Sequence, residues 1–254
     1  MFANLRRLHA VGAVAVVLAF IGLWALVARF EWVSPVFLPG PGATWSALVD
    51  GLRDGDLAAL LGQTLMRMTY GWGVAAIVGI ALGALIGTSP RLRAWVQPTL
   101  EFMRPLPASA IMPVAIALMG LSPAMVLFVI AFGAVWPVLL ATIHGFATIE
   151  PRLVEVGRVM RISRPGFIWK VGLPHALPDM LGGLRLSLTV SLILAIVAEM
   201  LASQDGLGTA VMLAARSFRS ADLFAGVVLL GLIGLVTNFL LGLAERRLLR
   251  WQHP

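Results

Sequence analysis

With 254 residues, 59% of them hydrophobic and only 12% charged, the chain falls well below the roughly 25% charged residues of soluble domains and reads as a membrane protein. Its net charge of +7 does not argue for nucleic acid, because the basic residues are scattered between apolar runs instead of gathered on one face with aromatics. The absence of cysteine excludes disulfides and thiolate metal sites and leaves the redox compartment open.

Arg6 and Arg7 precede an apolar run from Ala10 to Ala28. The run is longer than the 7–15 residues of a signal core and no small-x-small cleavage site follows, so it is predicted to be an uncleaved first span. Phe30 to Leu60 carries Pro35, Pro39, Gly40, Pro41 and Gly42, then Trp45, Leu48, Val49 and Leu52; this predicts an extramembrane connector with an interfacial helix. The second span, about Arg67 to Thr88, holds Gly71, Gly73, Gly79, Gly83 and Gly87. Its G-x-x-x-G spacings allow close approach by a neighbouring helix. A polar loop is expected over Ser89 to Arg104, with Arg91, Arg93 and Arg104. A third span covers about Leu106 to Leu121 and contains Pro113, and a fourth covers about Met125 to His144 and contains Pro137. Such prolines kink helices where neighbours can satisfy the freed carbonyls.

The next interval, Arg152 to Leu184, is too charged to lie in hydrocarbon, where each ionic side chain costs about 2.5–3.5 kcal/mol on insertion scales. Leu153, Val156, Val159, Met160 and Ile162 recur near a helical period, with Glu155 and Arg158 on a more polar side. Ser163 and Pro165 signal a stop and a fresh start. Pro174 and Pro178 are expected to forbid a continuous helix, so that the chain turns before entering the membrane at Gly182 and Gly183. A solvated helix-turn-helix elbow is predicted. The fifth span, about Leu184 to Leu201, contains Ser187, Thr189 and Ser191, with Glu199 near its far end. A connector follows from Ala202 to Asp222, and the sixth span, about Leu223 to Leu243, exits into Glu245, Arg246, Arg247 and Arg250.

Six spans place both ends on one side. Assigning to the cytoplasm the N-terminus, the loop before the third span, the elbow with Arg152, Arg158, Arg161, Arg164, Lys170 and Arg185, and the C-terminus leaves only Arg29, Arg53, Arg67, Arg216 and Arg219 outside. By the positive-inside rule the elbow is cytoplasmic.

Glu155-Val156-Gly157, followed at the right spacing by Val171-Gly172-Leu173-Pro174, resembles the E-A-A-x(3)-G-x(9)-I-x-L-P signature of permease subunits in ATP-binding cassette (ABC) importers. Val156-Gly157 replaces the paired alanines, and Arg161 stands where the family has glycine. Leu38-Pro39-Gly40-Pro41, Thr64-Leu65-Met66-Arg67, Arg104-Pro105-Leu106-Pro107, and Val197-Ala198-Glu199-Met200 with Gly206-Leu207-Gly208 resemble the branch that imports taurine, aliphatic sulfonates and nitrate. The resemblance implies an all-α, polytopic type I ABC importer permease fold: a first helix and connector over 1–59, a transmembrane domain over 60–245 with a coupling loop at 146–182, and a cytoplasmic tail over 246–254. It further implies a bacterial inner-membrane protein working with a second permease copy, two ATPase subunits and an extracytoplasmic solute-binding protein. The ATPase-coupling residues would be Leu153, Glu155, Val156, Gly157, Val159, Met160, Arg161, Val171, Leu173 and Pro174.

Chemistry within the chain is sparse. His9, His144, His175 and His253 form no H-E-x-x-H, no serine lies in G-x-S-x-G, and the sole lysine, Lys170, belongs to no Walker A sequence. No catalytic or metal-ligating residue and no cofactor are expected, ATP-Mg being bound by the partner subunit. Arg67, Ser187, Thr189, Ser191 and Glu199 are candidates for a translocation path. Packing explains them as well: helix–helix hydrogen bonds for the hydroxyls, a structural role for Glu199, headgroup contact for Arg67. An ATP-independent channel or carrier is the competing class, and an intramembrane enzyme stands third.

Overall fold

A computed structural model of the chain describes residues 2–103 and 106–252, the side chains of residues 2–11, 13 and 252 excepted. Arg104, Pro105 and His253, and the side chains of Arg6, Arg7 and His9, lie outside the described residues. The protein is an all-α polytopic membrane protein, about 85% helical, with no strand among the described residues. Its helices are α1 (Phe2–Arg29), α2 (Pro41–Arg53), α3 (Leu57–Gly87), α4 (Pro90–Met103), α5 (Ala108–Met119), α6 (Pro123–Ala147), α7 (Pro151–Val159), α8 (Arg164–Phe167), α9 (Leu173–Ala202), α10 (Leu207–Arg216) and α11 (Ser220–Leu248). α3, α6, the α8–α9 stretch and α11 are each long and apolar enough to cross a membrane. α4 and α5 make a fifth span if the pair, bent by 89°, is taken as one, and α1 contributes a shorter apolar helix over Val14–Arg29.

The centre of the bundle is α6, which takes α3 on one side and α9 on another. Gly71, Ala75, Gly79, Gly83 and Gly87 recur every four residues along α3 and are all buried. Facing them on α6, Ile130, Val138, Thr142 and Phe146 sit where side chains on Gly71, Gly79, Gly83 and Gly87 would collide. The partners keep one offset of 59 positions, so the helices run parallel in a fixed register, one small residue per turn admitting one larger side chain. With no hydrophobic drive between helices in lipid, such close van der Waals contact supplies the association. α9 runs antiparallel to α6, with Gly133 against Leu194 and Gly145 against Ala176. Ser187 Oγ donates to the Ala134 carbonyl at 2.6 Å, within the turn of α6 that Pro137 loosens.

Two sequence expectations are corrected, and one connector gains a helix. The interval from Ser89 to Arg104 is helical over Pro90–Met103, not a loop, because Leu92, Val96 and Leu100 form an i, i+4, i+8 stripe that packs on Ile86, Leu139 and Ile143. The connector after the fifth span contains α10, whose Leu207, Val211 and Ala214 are buried. Pro174 and Pro178 do not make the chain turn: helix runs from Arg164 to Ala202. A π-helical turn at Ile168–Gly172 precedes them, and the Leu173 amide bonds back to Ile168. The hydrogen-bond ladder thus changes register just before Pro174, which occupies the first turn of α9, where its missing N–H is harmless.

Gly83→Ala would put a methyl group 2.9 Å from the Leu139 carbonyl oxygen, a backbone atom that cannot rotate away. The substitution is expected to cost about 1–3 kcal/mol through forced separation of the helices. Gly73→Ala, which meets nothing within 4 Å, should leave the protein at least as stable. Thermal unfolding of both variants in detergent measures the difference.

Candidate functional site

Two assemblies of side chains stand out at opposite ends of α9. At its C-terminal end Glu199 is fully buried and its carboxylate accepts three hydrogen bonds. Arg67 Nη1 bonds Oε1 at 2.9 Å, Thr64 Oγ1 bonds Oε2 at 2.9 Å, and the Gly208 amide bonds Oε2 at 3.0 Å. Arg67 also donates to the Asp205 carbonyl, Thr64 accepts the Leu207 amide at 2.9 Å, and Thr209 Oγ1 caps the Glu199 carbonyl at 2.9 Å. Side chains at Gly206 and Gly208 would run into Glu199 or the α9 backbone; the Gly-Leu-Gly turn is what lets the chain wrap the carboxylate. α3, α9 and the start of α10 are thereby tied at one point, and three of the motifs that carried the sequence resemblance prove to be its parts.

Of the five path candidates, Arg67 and Glu199 are paired with each other, with only 18% of the Arg67 side chain exposed. Ser187 and Ser191 are buried, bonding the Ala134 carbonyl on α6 and the Leu188 carbonyl of their own helix. Thr189 is exposed and bonds the Arg185 carbonyl one turn back. Four of the five are thus engaged in packing, and a headgroup contact for Arg67 gives way to the ion pair. Thr64, the Asp205 carbonyl and the Leu207 and Gly208 amides were missed as members of this cluster. The available signal was that Arg67 and Glu199 are opposite charges, each near the outer end of its predicted span.

At the other end, α7 terminates in a Schellman motif. The Arg161 amide bonds the Arg158 carbonyl at 3.0 Å and the Ile162 amide bonds the Gly157 carbonyl at 3.0 Å, which satisfies carbonyls that a helix end leaves open. The motif requires its turning residue in the left-handed region, and Arg161 has φ +52°. The family's glycine is thus explained by backbone geometry, and here an arginine adopts it. Ser163 Oγ accepts the Gly166 amide at 3.4 Å and caps α8, as the sequence predicts.

Gly157 is buried, and a Cβ there would lie 2.7 Å from Phe167 Cδ2. It is the seat on which α8 folds back over α7, rather than a surface residue. Glu155 is exposed, and so is the apolar stripe around it: Leu153 by 40%, Val156 by 51%, Met160 by 67% and Val159 by 83%. Trp169, which the sequence reading passed over, is 70% exposed on the adjoining π-helical turn. Val171 and Leu173 are half-buried and Pro174 exposed at the start of α9. The elbow therefore presents apolar surface that its own chain does not cover.

The family profile described as "Binding-protein-dependent transport system inner membrane component" matches residues 75–250. SsuC of Bacillus subtilis (strain 168), named as a transport permease for aliphatic sulfonates, is 31% identical over 233 residues, covering 92% of this chain and 84% of its own. The taurine transport system permease protein TauC of Escherichia coli (strain K12) is 29% identical over 246 residues, covering 95% and 88%. Among solved structures, the methionine ABC transporter MetNI in inward-facing conformations matches with a TM-score of 0.67 at 18% identity, covering 76% of this chain and 95% of that one; it shares the fold.

Two outcomes follow. Glu199→Ala leaves the Arg67 guanidinium facing a buried void and should cost about 3–5 kcal/mol, read as a fall in the unfolding midpoint in detergent. Arg161→Gly relieves a left-handed residue worth about 1–2 kcal/mol of steric cost, partly offset by the greater freedom of glycine in the unfolded chain. Its unfolding midpoint should equal or exceed that of the parent.

Proposed function

The chain belongs to the family of binding-protein-dependent transport system inner membrane components, and from that premise we propose that it is the permease subunit of an ATP-driven importer of a small anionic or zwitterionic solute. A second copy completes the pathway, two ATPase subunits dock on the elbows, and an extracytoplasmic binding protein delivers the solute. The site is the bacterial inner membrane, with both termini and the elbow in the cytoplasm, a placement supported by the distribution of basic residues.

The observation that carries this reading is the uncovered apolar stripe on α7. Isolated exposed hydrophobics are ordinary, but a contiguous row on a charged elbow outside the membrane marks a contact surface. Leu153, Val156, Val159 and Met160 would fill a groove on the ATPase, with Glu155 at its edge and Gly157, Arg161, Val171, Leu173 and Pro174 setting the elbow's shape. Because the Schellman turn and the Gly157–Phe167 contact fix α7 to α8, and helix continues from Arg164 to Ala202, a push on α7 acts on a lever about 58 Å long at 1.5 Å per residue. Nucleotide state in the ATPase would bias two arrangements of the bundle through this contact.

The solute class rests on relatives named for sulfonate and taurine transport. The outer-face cavity of about 700 Å³ between α2, α10 and α11 is lined by Asp50, Asp56, Asp205 and Asp222, with Arg219. That lining repels a free anion, which is consistent with selectivity residing in the binding protein.

Val156→Asp combined with Val159→Asp tests the reading. Truncating interface anchors costs about 2–4 kcal/mol, or roughly thirtyfold to a thousandfold in affinity. The double variant should insert and unfold normally yet lose ATPase co-purification and binding-protein-dependent sulfonate or taurine uptake in proteoliposomes. Uptake by the double variant, or by the permease without ATPase, would favour the channel or carrier.

A further inference from the structure

Between α9 and α11 lies a cleft of about 600 Å³ that the coupling mechanism does not use. The two helices run antiparallel along it. Arg185 Nη2 pairs with Glu245 Oε2 at 2.8 Å near one end, and Leu192 Cδ2 lies 3.5 Å from where a Cβ on Gly234 would stand, nearer the other. Gly242 makes room for the guanidinium: a Cβ there would lie 2.8 Å from Arg185 Nη2.

Leu188, Phe239 and Leu243 line the cleft between its two ends, Thr237 closes its hydroxyl on its own helix, and the remaining charged and polar groups set among them change along its length. Arg185 and Arg246 stand at the mouth, where the orientation proposed above puts the cytoplasmic interface. Thr189 lies one turn deeper on α9 and Asn238 about two turns deeper on α11. Leu192 and Leu235 line the far end. Glu245 neutralises one charge, so two arginines leave the mouth net positive; Arg185 keeps 40% of its side chain exposed despite the ion pair, and Arg246 is exposed. Of the four helices long and apolar enough to span, α11 is the least covered, with 11% of its apolar window buried, so the cleft is bounded on one side by a largely exposed helix.

Charge, then hydroxyl and amide, then hydrocarbon is the sequence of chemistries met along a phospholipid from phosphate to ester to acyl chain. We propose that the cleft binds one anionic phospholipid of the cytoplasmic leaflet. Its phosphate sits between Arg185 and Arg246 as a charge-assisted pair, its ester region meets Thr189 and Asn238, and an acyl chain lies along Leu192 and Leu235. Basic pockets between spans at the cytoplasmic side suit anionic headgroups. A small hydrophilic anion would satisfy the mouth and leave the apolar depth unfilled. The choice of leaflet rests on the proposed orientation; the binding does not.

The test is native mass spectrometry of the full-length permease in detergent, titrated with phosphatidylglycerol or phosphatidylcholine of identical acyl chains. Phosphatidylglycerol should bind at least tenfold tighter. Arg246→Gln and Asn238→Leu should each weaken it fivefold or more, whereas Arg247→Gln, an equal charge change outside the cleft lining, should leave it unchanged. Unfolding midpoints equal to the parent's confirm that the variants are folded. Equal binding of the two lipids, or equal loss in Arg247→Gln, overturns the proposal in favour of diffuse charge attraction. Displacement of the lipid by millimolar inorganic phosphate or ethanesulfonate overturns it in favour of a small-anion receptor, and a shift from monomer to dimer that tracks the Arg246 and Asn238 variants overturns it in favour of a protein interface. None of these readouts depends on transport, so the failure of either reading leaves the other standing.

Discussion

A carboxylate withdrawn from water must recover in hydrogen bonds what it loses in hydration, and Glu199 recovers it from two other elements, α3, which is remote in sequence, and the start of α10. Because Arg67 and Thr64 come from α3 and the amide from the start of α10, the carboxylate can be satisfied only when those elements are docked on α9. Local polar chemistry thus selects a single tertiary arrangement at the C-terminal end of α9. The apolar contacts beneath it, where Met68, Met125, Ala198 and Leu207 are buried in one cluster, are less directional and would tolerate small slips that the carboxylate does not.

The opposite end of α9 is organised by backbone constraints instead of charge. A left-handed residue closes α7, a glycine seats a phenylalanine ring, and a π-helical turn carries the ladder past a proline. None of these contributes a reactive group. Together they hold the elbow in one shape, so that its uncovered stripe is offered as a preformed surface; a contact that need not order itself first keeps more of its interaction free energy as affinity. Rigid placement of the elbow and polar locking at Glu199 are complementary, since displacement entering one end of α9 meets a fixed point at the other.

Much of this was legible in the sequence because it depends on local pattern. The apolar runs, the glycine spacing in α3 and the Ser163 and Pro165 start signal needed only nearest neighbours along a helix. What escaped depends on partners remote in sequence or on choices that a one-dimensional pattern leaves open. The stripe of Leu92, Val96 and Leu100 was hidden by the arginines and the proline among which it lies. Pro174 and Pro178 carried a strong local signal for a break; the π-helical turn that admits Pro174 leaves no compositional trace, and Pro178 is carried inside α9. Glu199 was recognised as an acid within a predicted span but not as a buried one, because its partners Thr64 and Gly208 are ordinary residues until the fold brings them within 3.0 Å. Gly157 was readable as a motif position and not as a seat for Phe167, because that requires knowing that α8 folds back.

The constant offset between α3 and α6 has a consequence for how such a chain can change length over evolutionary time. One residue inserted between Gly71 and Gly79 would rotate every position beyond it by about 100°, turning Gly79, Gly83 and Gly87 away from Val138, Thr142 and Phe146 and driving bulkier neighbours into their places. A matching insertion in α6 would restore that register only by spoiling the antiparallel one with α9. These helices are therefore frozen in length by mutual indexing, as meshed gears are frozen in tooth count, and insertions and deletions are confined to segments outside the mesh, such as the Phe30–Leu38 stretch.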